Sequence, residues 1–345
     1  MLGVLTLPGG RVLALPNWDR PRLYVSARSA RQRWEGSALY PASRPSARLY
    51  RFFLRTKALF GGAGGRVIPR TAAPLRPFVE DVIPGAEWVA IIVGTPGPTQ
   101  KFTVAIWDEA GSLAGFLKYG ETPRAQFRIR NEFGNLSVLP MGVAPRALKL
   151  GALGGGLAVL MTPVGGRHIS PRLPPPEDVL TYLETLPAKE SPVAPAEHPW
   201  IKSLMTRTPR EDILIARCVE VLSRRKWRIV HHHGDFAPWN LLRIGKGKLA
   251  AVDWEFASAE GFPYVDLAHY IIQVGALMYR WRAGKVLSWG VRYLSNPTII
   301  GLSQAEATAI VQLAAWDSYH QALDDQYSPD TPLQSLRRAL WTIAA

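Results

Sequence analysis

A strand-rich small lobe followed by a helix-rich large lobe, an α+β protein, is what three features of this sequence predict. Between Glu87 and Thr162, short apolar and β-branched runs recur between Gly and Pro turns. Beyond Pro176 the apolar residues fall at helical spacing, in segments that begin just after proline. With 345 residues, 47% hydrophobic and 20% charged, the chain can bury a sizeable core in one large domain or in two to three smaller units. Strands first and helices afterwards is the signature of α+β architecture.

Residues 1–80 read as a basic extension. They hold 14 Lys and Arg against 3 Asp and Glu, whereas the rest of the chain holds 27 against 24, so most of the net charge of +14 is concentrated there. Within this segment "VLTLPGGRVLAL" reads as two short strands about a Pro-Gly-Gly turn. "SARLYRFFLRTKALF" reads as a basic amphipathic helix, with Leu49, Phe52, Phe53 and Leu59 set among Arg48, Arg51, Arg55 and Lys57. Two roles fit: docking to an anionic partner such as a membrane surface, a polyanionic glycan or nucleic acid, or a solvated basic face packed on the rest of the chain.

Several classes are excluded at this stage. No apolar run approaches the ~20 residues of a membrane-spanning helix, so no integral membrane segment is expected. The first residues lack the basic start and apolar core of a secretory signal. Cys218 is the only cysteine, which rules out an intramolecular disulfide and suggests a cytoplasmic setting. No internal repeat points to a solenoid.

Residues 81–163 form the expected small lobe. "EWVAIIVG", "KFTVAIWD" and "LAGFLKYG" predict a three-strand meander. A helix follows, capped by Thr122 with Pro123 at its first position. "APRALKLG" and "GLAVLMT" predict two more strands before Pro163, Gly165 and Gly166 break the pattern. Residues 164–345 form the large lobe, with helices expected over "PPEDVLTYLETL", "REDILIARCVEVLSRRK", "VDLAHYIIQVGALMYRW" and "QAEATAIVQLAAWDSYHQAL". The stretch from Arg228 to Ile244 and "GKLAAVDWEF" are short strand-and-loop pieces between them.

The chemistry concentrates in that stretch, "RIVHHHGDFAPWNLLRI". The three histidines sit at a strand end, where His231 and His233 share a face and His232 points away. They lack the further Cys or His ligands that a zinc site needs. Asp235 and Asn240 stand as Asp-x-x-x-x-Asn, and 13 residues after Asn240 comes Asp253, behind a short apolar strand. Phosphoryl transfer uses such parts: one carboxylate beside the attacking hydroxyl, and a carboxylate with an amide oxygen to hold magnesium on the phosphates. Protein kinases carry the same order, His-Arg-Asp-x-x-x-x-Asn and then Asp-Phe-Gly.

Here the motifs are His233-Gly234-Asp235, Asn240 and Asp253-Trp254-Glu255, followed by Pro263-Tyr264-Val265-Asp266-Leu267. In this form the chain resembles the aminoglycoside phosphotransferase and choline kinase-like family over roughly residues 85 to 345. The resemblance implies a bilobal protein kinase-like fold and an ATP- or GTP-dependent phosphotransferase acting on a hydroxyl of a small molecule. It implies Asp235 as catalytic base, Asn240 and Asp253 as magnesium ligands, and His233 as a packing and hydrogen-bonding residue. Asp266 would brace or cap the next helix. Lys118 matches the third-strand lysine that contacts nucleotide phosphates and Glu132 its partner, with Glu121, Arg124 and Arg128 as rivals. The linker residues Met161, Thr162 and Val164 would offer backbone groups to the adenine or guanine ring.

The loop over the phosphates departs from the pattern. "GTPGPTQK" offers Gly94 and Gly97 but also two prolines, each of which removes a backbone donor. A degraded kinase serving as regulator or scaffold therefore stands as an alternative, as does a chain whose main role is surface binding through residues 1–80. A protein substrate does not fit, because only 12 residues separate Asp253 from Asp266. Glu306, Asp317, Asp324, Asp325 and Asp330, with Trp316, Tyr319 and Tyr327, could hold a cationic amine, a sugar could stack on the aromatic rings, or the segment could be a solvated helix face.

Overall fold

Two apolar faces alternate along nearly every strand of the first half of the chain, and a sheet covered on both sides is the result. The computed structural model describes residues 2–6, 11–40, 42, 45–67, 74–207 and 212–343. It contains two compact units, Met1–Phe133 with Pro145–Pro163, and Gly134–Ala144 with Val164–Ala345.

The first unit is built on an antiparallel sheet of eight strands. These are β1 (Arg11–Leu15), β2 (Leu23–Ser26), β3 (Arg66–Val67), β4 (Ala86–Val93), β5 (Phe102–Asp108), β6 (Leu113–Gly120), β7 (Ala147–Leu153) and β8 (Gly156–Met161). Their order is β3-β1-β2-β4-β5-β6-β8-β7. The meander β4–β5–β6 and the pair β7–β8 form where the sequence predicts them. The expected helix is α5 (Pro123–Leu136), and the Thr122 hydroxyl accepts from the Ala125 N–H at 3.1 Å.

Val12, Ala14, Val89, Ile91, Val104 and Ile106 face one apolar layer, closed by α1 (Leu2–Leu5) and α4 (Leu75–Val79). Leu13, Leu15, Trp88, Ala90, Ala105 and Trp107 face the other, covered by α2 (Ala30–Ser37) and α3 (Pro45–Phe60). Trp88 and Trp107 are register partners, and their rings stack at 3.9 Å between centroids.

The amino-terminal segment differs from the expected hairpin. Leu2–Leu5 is a helical turn, not a strand, and Leu5 is buried in the first apolar layer. The Pro-Gly-Gly turn lies outside the described residues. Arg11–Leu15 pairs instead with Leu23–Ser26, and that strand pairs with β4. Residues 11–67 thus contribute three strands to the same sheet as the meander.

The second unit is mainly helical: α6 (Glu177–Thr185), α7 (Pro199–Arg207), α8 (Asp212–Leu222), α9 (Val265–Leu277), α10 (Ala283–Leu294), α11 (Gln304–Asp324) and α12 (Pro332–Thr342). Short strands β9 (Arg167–His168), β10 (Val230–His232), β11 (Leu241–Gly245), β12 (Lys248–Ala251) and β13 (Ser258–Gly261) form two small antiparallel sheets. Trp254, Phe262, Tyr270 and Trp316 are among its largest fully buried side chains. Among the described residues no helix is long and apolar enough to cross a membrane.

Candidate active site

The loop that follows β10 is fixed by its backbone before any side chain acts. Gly234 has φ +78°, and a Cβ there would lie 2.3 Å from the Phe256 carbonyl oxygen, so only glycine fits. Asp266, in the first turn of α9, accepts from the His233 N–H at 2.7 Å and the Gly234 N–H at 3.0 Å. Its role is therefore to brace the loop; the helix begins at Tyr264 without a side-chain cap. The His233 ring spans the loop, with Nε2 2.9 Å from the Val252 carbonyl and Nδ1 receiving the Asp235 N–H at 3.3 Å. A carbonyl only accepts and an N–H only donates, so the ring carries its proton on Nε2.

A 3₁₀ turn over Pro238–Asn240 brings Asn240 back to Asp235. Asn240 Nδ2 donates to the Asp235 carbonyl at 2.9 Å and to Asp235 Oδ2 at 3.1 Å. Both partners are acceptors, so the amide nitrogen must face them and Oδ1 is turned away from the carboxylate. Asp235 Oδ1 lies 3.1 Å from His269 Nε2, on α9. The catalytic candidate thus has both carboxylate oxygens held from the protein side.

Asp253 arrives through the β11–β12 hairpin. Leu241 pairs with Ala251, and the Val252 N–H donates to the Asn240 carbonyl at 2.9 Å, so Asp253 follows directly on a residue bonded to Asn240. Its backbone takes the left-handed conformation at φ +72°, uncommon for a residue with a Cβ. Trp254 anchors the turn: it is fully buried, donates Nε1–H to the Ala251 carbonyl at 2.8 Å, and packs against the His231 and His233 rings. An amide oxygen and a carboxylate suit magnesium, a hard cation that takes few protein ligands beside phosphate oxygens. The residues present fit that ion.

His231 is a buried structural residue. His231 Nε2 lies 2.9 Å from Asn135 Oδ1, and Asn135 Nδ2 donates to the Ala257 carbonyl at 3.1 Å. Burial, with His232 beside it, pushes the His231 pKa down to about 4.

His269 is a functional candidate that sequence reasoning did not single out. Asp266, His269 and Gln273 recur at three- and four-residue steps and are the buried polar positions of an otherwise apolar α9, a signal that periodicity carries. His269 Nδ1 lies 2.9 Å from Ser318 Oγ, and that hydroxyl also lies 2.7 Å from the Ala314 carbonyl. Arg337 of α12 lies near enough to Asp235 and Asp317 to feel both charges. Burial draws its pKa down to about 10, against the upward pull of the two carboxylates.

The acidic run of α11 does not offer itself to a ligand as a cationic-amine reading requires. Glu306 makes two 2.8 Å bonds to Arg225 and completes a capping box with Ser303. Asp317 is held by Arg207 at 2.7 Å, and Asp324 lies 3.7 Å from the same guanidinium. Trp316 is fully buried and Tyr319 nearly so, while Tyr327 is exposed.

In the first unit Lys118 Nζ and Glu132 Oε1 are 2.6 Å apart, joining β6 to α5. Among the alternatives, Glu121 accepts from the Tyr119 hydroxyl at 2.9 Å, and Arg124 and Arg128 lie over the Phe127 ring. Gly94 is a required glycine, since a Cβ would meet the Lys101 carbonyl oxygen at 2.3 Å, and its N–H already donates to that oxygen at 2.9 Å. Gly97 sits at φ +149° between Pro96 and Pro98. At the end of β8, Met161 is buried, and Thr162 exchanges bonds with the Arg146 backbone, its N–H donating at 3.0 Å and its hydroxyl accepting at 2.9 Å. Pro163 has no N–H, and Val164 opens the last stretch of the second unit.

An antiparallel-sheet unit and a mainly helical unit that carries the His-Gly-Asp, Asn and Asp-Trp-Glu residues on one loop and the adjoining hairpin are what element order and loop geometry define. No family model matches the chain, and no curated protein matches it. Among solved structures it is similar to the aminoglycoside phosphotransferase APH(3'')-Id from Streptomyces rimosus in complex with ADP and streptomycin, at 15% identity over 70% of this chain and 96% of that one, with a TM-score of 0.40. A second structure of that enzyme gives 16% identity over 69% and 96%, with a TM-score of 0.34. The bifunctional kinase-methyltransferase WbdD gives 15% identity over 70% of this chain and 43% of that one, with a TM-score of 0.25.

Proposed function

We propose that the chain is a small-molecule phosphotransferase that moves the γ-phosphoryl group of ATP or GTP to an acceptor hydroxyl. The observation that carries this reading is the Asp235 carboxylate, gripped by Asn240 and His269, on a loop that also brings Asn240 beside the strand leading to Asp253. Asp235 orients the acceptor O–H and takes its proton as the oxygen bonds to phosphorus and the bond from phosphorus to the bridging oxygen of the leaving nucleoside diphosphate breaks. Asn240 Oδ1 and the Asp253 carboxylate would hold magnesium, which when bound offsets charge on the phosphates. Lys118, positioned by Glu132, gives a further cation to the phosphates, and backbone groups of Met161, Thr162 and Val164 serve the purine ring.

A regulator that keeps the fold without turnover is the second reading, favoured by the loop at Gly94–Gln100. Pro96 and Pro98 carry no N–H, and the N–H groups of Gly94 and Gln100 are engaged within the loop region. Consumption of ATP or GTP with magnesium, assayed against pooled sugars, amino alcohols and aminoglycosides, separates the two. Acceptor-dependent consumption supports the enzyme; none in any pool, with nucleotide bound, supports the regulator.

A further inference from the structure

Helix α3 has two apolar faces on opposite sides. Leu54 and Ala58 are fully buried in the layer over the sheet. Leu49, Phe52, Phe53 and Phe60 are instead 72%, 63%, 50% and 84% exposed. At about 100° per residue, Phe52, Phe53 and Phe60 fall within roughly 60° of Leu49, whereas Leu54 and Ala58 lie about 140° and 180° away. The outward residues form one stripe ~16 Å long. Arg48 and Lys57, both exposed, flank it on either side, and the helix contains no acidic residue.

We propose that this stripe docks the chain on an anionic lipid bilayer, with α3 lying in the plane of the headgroups. Exposed phenylalanine and leucine gain by entering an apolar phase, and the headgroup–acyl boundary is one that also presents anions to the flanking cations. A polyanionic chain would satisfy Arg48 and Lys57 but leave the stripe in water. A second copy would bring the same cations together without a counter-charge. At 16 residues α3 is too short to span a bilayer and is anchored to the sheet by its other face, so it rests on the surface without crossing it.

The test uses the full chain, sedimented with phosphatidylcholine vesicles and with vesicles in which part of that lipid is replaced by phosphatidylglycerol. Binding is expected only on the anionic vesicles, weakening as salt rises. Phe52→Ser/Phe53→Ser/Phe60→Ser should weaken it by more than about tenfold, and Arg48→Gln/Lys57→Gln by about fivefold for each cation removed. Thermal unfolding of these exposed-site variants should match the parent, which keeps misfolding from passing as a result. Cys218 is 2% exposed and burial raises its thiol to about 12, so an environment-sensitive thiol label on Thr56→Cys reports from the stripe alone. Its emission should shift to the blue on anionic vesicles. Equal binding to neutral vesicles, undiminished binding of the serine variant or an unmoved label overturns the proposal. So does binding to heparin without binding to vesicles, or a parent oligomer that the serine variant turns into a monomer.

Discussion

His269 Nε2 sits 3.1 Å from Asp235 Oδ1 while the opposite edge of the same ring sits 2.9 Å from Ser318 Oγ. A carboxylate only accepts, so the ring donates from Nε2 and its Nδ1 accepts from the Ser318 hydroxyl, which also lies 2.7 Å from the Ala314 carbonyl. Helix α11 therefore sets the angle at which α9 presents its imidazole to the carboxylate.

His269→Ala removes one of the two side-chain hydrogen-bond partners that Asp235 has among the described residues. Acceptor-dependent kcat should fall roughly 10- to 100-fold, the worth of a hydrogen bond to a charged group. Nucleotide affinity should stay unchanged. His269→Gln, whose amide can reach the same oxygen, should recover part of the loss. Parent-like turnover in the alanine variant would reduce the contact to packing.

Asp235 and Asp253 should fail differently. Asp235→Asn abolishes proton acceptance but keeps the metal ligands, so turnover should drop by ~10²–10⁴ with nucleotide affinity near the parent's. Asp253→Asn should lose turnover and also magnesium-dependent nucleotide binding, partly restored at high magnesium. Calorimetric titration with and without magnesium distinguishes them; normal turnover by Asp235→Asn sinks the assignment.

Lys118→Ala should shrink the rise in Tm that ATP or GTP with magnesium produces. It also removes the ammonium 2.6 Å from the buried Glu132 carboxylate and should lower stability. Lys118→Met/Glu132→Gln removes both charges and should regain stability without regaining the nucleotide response. A full nucleotide shift in that double variant would remove Lys118 from the phosphate site.

Stability should decline on mild acidification. The folded pKa of His231 is pushed down to about 4 from 6.5, and burial lowers that of His198 as well. A neutral form favoured by folding contributes its full stability above the unfolded pKa and loses it as pH falls through the folded one. The unfolding free energy should therefore drop between about pH 6.5 and pH 4, by an amount on the order of 3 kcal/mol from His231, and Tm should fall with it. His231→Gln should flatten that part of the profile; an unchanged slope would exclude His231 as its source.

Deleting residues 1–80 should leave the remainder insoluble or molten. It strips β1, β2 and β3 from the sheet, opens the edge of β4, and uncovers Trp88 and Trp107 by removing α2 and α3. A soluble, cooperatively melting fragment would contradict that dependence.

The loop from His233 to Asn240 and strands β4 to β8 were legible because each is a local pattern: alternation with Gly and Pro stops, or polar residues at fixed short spacing. Leu2–Leu5 was not, since so short an apolar run fits a strand or a helical turn equally. The acids of α11 misled for a different reason. Their partners, Arg225 for Glu306 and Arg207 for Asp317, lie 81 and 110 residues away, and no spacing rule connects them. His269 stands between: its stripe on α9 is readable, but its pairing with Asp235 needs the loop that Asp266 braces.

The pairing of β2 with β4 also sets a timetable. Val25 meets Ala90, 65 residues further on, so the first hairpin leaves the ribosome roughly 3–13 s before its partner strand at ordinary synthesis rates. During that interval the edge of β2 that will pair with β4 is open and is a template for misassembly. The meander β4–β5–β6 closes through short turns and so should assemble first, with the amino-terminal hairpin joining by long-loop closure. Chaperone demand should therefore be greatest on nascent chains shorter than about 95 residues.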